Sequence, residues 1–316
     1  MARTYRYLLL DVFTETALTG NQLAVFPDAA GMSDAEMQAV ARETRLSETT
    51  FCFPAETGIG AAVRVRVFTV GEELAFAGHP TLGTATALRM TVPALAGASE
   101  VRLRLNAGTI PVRFSAEDRG TGDALPFGVP VRGVMEQLLP VFGREFDRGD
   151  VAAAIGLPAE VLHAQKPIQI VSTGTTFAIV PLGSLEALGS LRVDLQAARQ
   201  ILGDAARFFY VIAPSGADGT RWRARMQFYN GEDPATGSAA GCATAYLVHH
   251  QLAPEEAPLV IEQGIEINRR SVIETSARLR GTAADSSQQS QGWSSDSYVR
   301  VGGATVLVGE GHMYLP

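Results

Sequence analysis

Hydrophobic and polar positions change their period several times along this chain, and each change marks an element. Residues 7–13 (YLLLDVF) and 23–26 (LAVF) are apolar runs of strand length. Gly20-Asn21 lies between them, suited to a positive-φ turn, so the opening reads as a hairpin. From Ser33 to about Thr44 the period becomes helical: Met37, Val40 and Ala41 form one stripe, and Ser33 with Glu36 has capping-box spacing. Residues 47–53 (SETTFCF) return to a period of two, with Thr49, Phe51 and Phe53 on one face and Glu48, Thr50 and Cys52 on the other. Strands are predicted at 62–69 and 101–114, around a helix of small residues near 80–90. Ser115–Val131 has Gly, Pro and charge without a period and reads as the first crossing between two domains.

The second half repeats the mixture. Asp150 and Asp194 look like helix N-caps, and short β-rich runs at 168–172 and 176–181 are split by Thr173-Gly174-Thr175. A strand is predicted at 223–229, a helix near 234–250, and final strands at 298–301 and 305–308, edged by Gly302-Gly303. His249-His250 marks the C-terminal end of the helix, where positive charge is favoured. The polar stretch 285–297 reads as a mobile loop.

An internal echo organises the two halves. Pro80-Thr81-Leu82-Gly83-Thr84-Ala85 and Pro234-Ala235-Thr236-Gly237-Ser238-Ala239 share the pattern Pro-x-x-Gly-[Ser/Thr]-Ala, each after a strand and before an alanine-rich helix. A repeat at about half the chain length suggests duplication, with two domains that each hold a central helix inside a curved sheet. The division is expected near residue 122, giving 1–122 and 123–316, with the final strand free to return to the first domain.

Composition narrows the function. The chain has 316 residues, 46% hydrophobic and 19% charged, with net charge −7, the profile of a globular acidic protein. No basic patch invites nucleic acid, and no apolar stretch is long enough for a membrane span. The start reaches Asp11 after three leucines, too short a core for a secretory signal. Cys52 and Cys242 cannot build a disulfide framework, so a cytoplasmic setting is expected. The single lysine, Lys166, stands before Pro167 and makes a poor Schiff-base nucleophile.

Polar residues stand just before each echo: Gly78-His79 before Pro80, and Glu232-Asp233 before Pro234. Proline suits the first turn of a helix, and the small residues that follow leave amides uncovered, the makings of an anion site. Glu48, beside an apolar strand, is the candidate acid/base, since burial would raise its pKa; the plainer reading is a solvated edge residue. His79 and Asp233 can each cap a helix or touch a substrate. Gly237 and Ser238 can permit close packing or bind, and Asn21 can satisfy a turn or bind. No His, Cys, Asp or Glu cluster has metal-ligand spacing.

In these blocks the chain resembles the PhzF-like isomerases of phenazine biosynthesis, with the diaminopimelate-epimerase fold. The resemblance spans Asp11-Val12-Phe13, Gly20-Asn21, Leu46–Phe51, Glu73–Pro80, Ser172-Thr173-Gly174, Glu232–Gly241 and Glu262-Gln263-Gly264. It implies an α+β fold of two similar domains, each a mostly antiparallel, barrel-like sheet around a central helix, with the active site in the interdomain cleft. It further implies a homodimer and a cofactor-free proton shift on a small carboxylate-bearing metabolite. Glu48 would be the general acid/base, His79 and Asp233 would contact polar groups of the substrate, and Asn21, Gly78, Gly237 and Ser238 would line the binding site. Related epimerases use paired cysteines; Gly78 and Asp233 stand where those would be, which argues against thiol chemistry. The rival readings are a cysteine-independent epimerase and a non-catalytic small-molecule-binding protein. Departures from the family pattern, Gln22 and Gln227-Phe228-Tyr229-Asn230, point to a differing substrate.

Overall fold

A computed structural model describes residues 2–53, 62–115, 127–229, 231–282 and 292–316. The middle of the expected crossing, Asn230 and residues 285–291 of the polar stretch lie outside them. The chain divides into two compact units, Met1–Glu136 with Gly302–Pro316, and Gln137–Val301.

The first unit contains β1 (Arg3–Val12), β2 (Asn21–Phe26), α1 (Asp34–Thr44), β3 (Glu48–Phe53), β4 (Val63–Phe68), β5 (Glu73–Leu74) and α2 (Gly78–Thr91). It continues through β6 (Glu100–Leu105), β7 (Gly108–Phe114) and β8 (Pro130–Gln137). The second unit holds β9 (Val141–Phe146), α3 (Arg148–Ile155), β10 (Ile168–Ser172), β11 (Thr176–Pro181), α4 (Leu195–Leu202), β12 (Phe209–Pro214) and β13 (Arg221–Arg225). After these come β14 (Gln227–Phe228), β15 (Gly231–Glu232), α5 (Gly237–His249), β16 (Leu259–Gln263), β17 (Ser271–Arg278), β18 (Gly281–Thr282) and β19 (Gly292–Trp293). β20 (Tyr298–Leu315) ends the chain.

In the first unit the strands run β1-β2-β3-β4-β6-β7-β8-β20, and β20 pairs back onto β1, closing an eight-stranded barrel. α2 runs inside it, buried from Gly78 to Arg89. A helix enclosed on every side needs small side chains and satisfied hydroxyls. Gly83 fits because a Cβ there would lie 2.6 Å from Leu23 and 2.8 Å from Val12. Thr81 and Thr86 donate to the carbonyls of Ala77 and Leu82, and the Thr84 hydroxyl meets Thr50 at 2.8 Å. The outward face of the sheet carries α1 over Phe26, Phe51 and Phe68. The alternation predicted for residues 48–53 is therefore real: Phe51 packs toward α1 and Thr50 toward α2.

The second unit's sheet runs β17-β16-β13-β12-β11-β10-β9, with α5 buried from Gly237 to Leu247 and packed on β10, β11, β12 and β17. α3 and α4 cover an apolar layer that includes Ile155, Val180, Leu202 and Val211. The echo extends to strand pairing. In the first unit β1–β2, β3–β4 and β6–β7 are antiparallel while β2–β3 and β4–β6 are parallel. In the second, β10–β11, β12–β13 and β16–β17 are antiparallel while β11–β12 and β13–β16 are parallel.

Several expectations need correction. The 101–114 run is a hairpin turned at Asn106-Ala107, with Leu105 opposite Gly108. The strand expected at 223–229 breaks after Arg225, because the Met226 carbonyl leaves the sheet to accept from Asp233 N. Gly302-Gly303 does not interrupt the last strand. Gly302 lets β20 pass β8, since a Cβ there would lie 2.6 Å from the Gly133 carbonyl. The α3 cap is Asp147, which accepts from the amides of Gly149 and Asp150; Asp150 is itself in the first turn. Asp194 caps α4 as expected.

Candidate active site

In the first unit, Asn21 opens β2, Glu48 opens β3 in parallel register with Leu23, and Gly78-His79 begin α2. These elements bring three polar side chains into a row. The Asn21 amide Nδ2 donates to His79 Nδ1 at 3.2 Å, and His79 Nε2 lies 3.4 Å from Glu48 Oε2. The row is nearly dry, with side-chain exposures of 4% for His79 and 16% for Glu48.

Burial pushes the His79 pKa down to about 3, against the opposing pull of a main-chain hydrogen bond with Gln22. The 3.4 Å contact therefore joins a neutral imidazole, not an imidazolium, to the Glu48 carboxyl group. Asn21 engages the ring at Nδ1, and Nε2 faces Glu48. At this separation the contact is short of a well-formed hydrogen bond. His79 is not a cap: the N-cap position of α2 is Ala77. Glu48 is likewise not the solvated edge residue of the plainer reading.

In the second unit, Asp233 is buried and is not the cap of α5; Thr236 holds that position. Asp233 Oδ2 accepts from the Thr236 hydroxyl at 2.6 Å, and Asp233 N donates to the Met226 carbonyl at 3.0 Å. Gly237 and Ser238 begin α5, and the Gly237 carbonyl accepts from Gln137 Nε2 at 3.0 Å. Pro234 lies before the helix while Pro80 lies inside α2, so the two echoes enter their helices at different points.

The helix ends divide by role. α1, α3 and α4 are capped by the side chains of Ser33, Asp147 and Asp194. α2 and α5, the central helices, have no side-chain cap and no acidic residue in the first turn. Their positive ends are thus left for groups other than a local carboxylate or hydroxyl.

A feature not singled out in the sequence repeats beside both segments: an arginine seven positions before a glutamate. Arg66 grips Glu73 through Nε (2.8 Å) and Nη2 (2.5 Å), and Arg225 grips Glu232 in the same way (2.8 and 2.6 Å). The Arg66 hydrogen bonds hold the Glu73 carboxyl below the usual range. At Glu232 burial pushes up, but the hydrogen bonds from Arg225 and Gln227 outweigh it and the net direction is down. The shared spacing was visible in the sequence, but only as two distant pairs.

Both cysteines are buried, and burial raises both thiols, Cys242 to about 12. Neither is a ready thiolate. His249 and His250 do end α5, but burial lowers both, His250 to about 4, so they bring no positive charge at neutral pH. Among the described residues no group of three His, Cys, Asp or Glu side chains could hold a metal, and no helix is long and apolar enough to cross a membrane.

A family model described as phenazine biosynthesis-like protein matches residues 10–311. The chain belongs to that family. Trans-2,3-dihydro-3-hydroxyanthranilate isomerase of Pseudomonas aeruginosa is 33% identical to it over 315 residues, covering 98% of this chain and 100% of the relative. A PhzF-family protein of Bacillus anthracis, whose structure is solved, has 25% identity and a TM-score of 0.78, over 98% of this chain and 99% of that one. A hydroxyproline epimerase of Agrobacterium vitis shares the fold alone, at 13% identity and a TM-score of 0.63, over 99% of this chain and 91% of that one. This phenazine biosynthesis-like protein is an isomerase.

Proposed function

We propose that this isomerase moves a proton between carbons of a small carboxylate-bearing metabolite, without a cofactor, with Glu48 as general acid/base. The observation that carries the reading is the row Asn21–His79–Glu48 at the uncapped start of α2. The Glu48 carboxylate takes a carbon-bound proton, and the electron pair left behind moves into the adjoining π system. The carboxylic acid so formed then returns a proton to another carbon, and Glu48 ends as it began. Neutral His79 fits this cycle: an uncharged ring beside Glu48 does not hold the carboxylate as half of a fixed ion pair. The Gly78 amide supports charge that develops beside the helix terminus. Asp233, Gly237 and Ser238 contribute substrate contacts, and Asn21 holds the His79 ring.

The dihydro-hydroxyanthranilate on which the 33% identical relative acts is a cyclic amino acid of this class, and it is the first compound to assay. Glu48→Gln is expected to lower turnover by about 10²–10⁴-fold while the melting temperature stays close to the parent's. Full activity in that variant removes Glu48 from the chemistry. A product that differs only in configuration at one carbon would instead support the epimerase reading. The proposal includes a cytoplasmic homodimer; light scattering that returns one 33.5 kDa chain would contradict the dimer.

A further inference from the structure

Gln263 ends β16, is fully buried, and uses both ends of its side-chain amide on one turn. Nε2 donates to the Asp233 carbonyl (2.8 Å) and to Thr236 Oγ1 (3.0 Å). Oε1 accepts from Thr236 N (3.0 Å) and from the Tyr210 hydroxyl (3.0 Å). Two donors and two acceptor positions are all engaged, the full capacity of an amide.

The consequence falls on Thr236. A threonine at an N-cap position ordinarily accepts from an amide two or three residues on. Here the hydroxyl accepts from Gln263 instead, which sends its own proton to Asp233 Oδ2 at 2.6 Å. One amide thereby orients the Asp233 carboxylate, fixes the turn that leads into α5, and keeps the cap hydroxyl off the first amides of the helix. The neighbours of Gln263 fix its height. Gly264 has φ +77°, and a Cβ there would lie 2.6 Å from the Pro234 carbonyl and 2.4 Å from that of Arg269, so the backbone presses directly on the turn. Glu262 pairs outward with Arg270.

We infer that Gln263 is a positioning residue of the isomerase: through Thr236 it aims Asp233 and holds the start of α5 open for the substrate's anionic group. The inference rests on the proposed role of Asp233, Gly237 and Ser238 in substrate contact. A side chain that merely filled space could be leucine. Glutamate, of the same shape, keeps the acceptor but cannot donate to the Asp233 carbonyl.

The test compares Gln263→Leu and Gln263→Glu with the parent in two measurements: steady-state turnover of trans-2,3-dihydro-3-hydroxyanthranilate, and amide hydrogen exchange. A raised KM of about tenfold or more, with kcat within about threefold, is expected for both variants. Exchange should accelerate across 233–241 and stay unchanged across β10 and β11. A structural role alone would lower the active fraction, and hence apparent kcat, without moving KM. An unchanged KM in folded Gln263→Glu overturns the inference, as does unchanged exchange across 233–241. If Gln263→Leu fails to fold, Gln263→Glu decides; if both fail, the residue is packing and the inference is wrong. Failure of the underlying reading shows separately, as a parent that turns over none of this compound or as Glu48→Gln at the parent rate.

Discussion

His79 is a base kept neutral by its surroundings, and that state has a measurable effect on stability. Its folded pKa is about 3 against an ordinary 6.5. As pH falls below about 6.5 the unfolded chain takes up this proton and the folded one does not, so stability is full above that value and declines toward pH 3. A His79→Asn variant removes that part of the pH dependence. Its melting temperature should fall less steeply between pH 6.5 and 4 than the parent's, and parallel curves for the two proteins would place the acid sensitivity elsewhere. The same dryness explains why Glu48 was hard to judge from sequence. A lone glutamate at a strand start is ordinarily solvated, and only the fold brings a buried imidazole to 3.4 Å from it. Asn21 shows the reverse: the glycine before it advertised a turn, whereas the asparagine itself spends its amide on His79.

At the scale of elements, local signals suffice where an element is decided locally. α1, β10 and β11 fall where period, capping box and turn residues put them, because each of these signals acts within a few residues. Where a distant partner decides, local signals point elsewhere. Gly302 looked like a strand end because its purpose, close passage of β8, is invisible in one strand. The central helices follow the same logic. α2 has small residues because the barrel surrounds it, and Gly83→Ala should cost about 1–3 kcal/mol, read as a lowered melting temperature, since Leu23 and Val12 must give way. A neutral or stabilised variant would show the barrel to be more loosely packed than these distances imply.

Across the whole molecule the duplicated plan was legible from six residues of echo, and the recurring order of parallel and antiparallel pairs gives it depth. The family blocks made the isomerase reading possible. The arginine–glutamate forks remained hidden, because neither partner is remarkable until the strands bring them together. The two forks are not equal: the Arg225–Glu232 side chains are 4% and 7% exposed, and those of Arg66–Glu73 are 17% and 24%. Arg225→Met strands a buried carboxylate and is expected to cost about 3–5 kcal/mol in denaturant unfolding. Arg66→Met should cost clearly less, and the opposite order would mean that exposure does not set the strength of these pairs.

The most direct test of the central claim is turnover of trans-2,3-dihydro-3-hydroxyanthranilate in deuterium oxide, followed by mass spectrometry of the product. The parent protein should yield isomerised product carrying solvent deuterium at the newly protonated carbon, and Glu48→Gln, folded, should yield almost none. Equal product and equal deuterium from the two proteins would contradict proton transfer by Glu48.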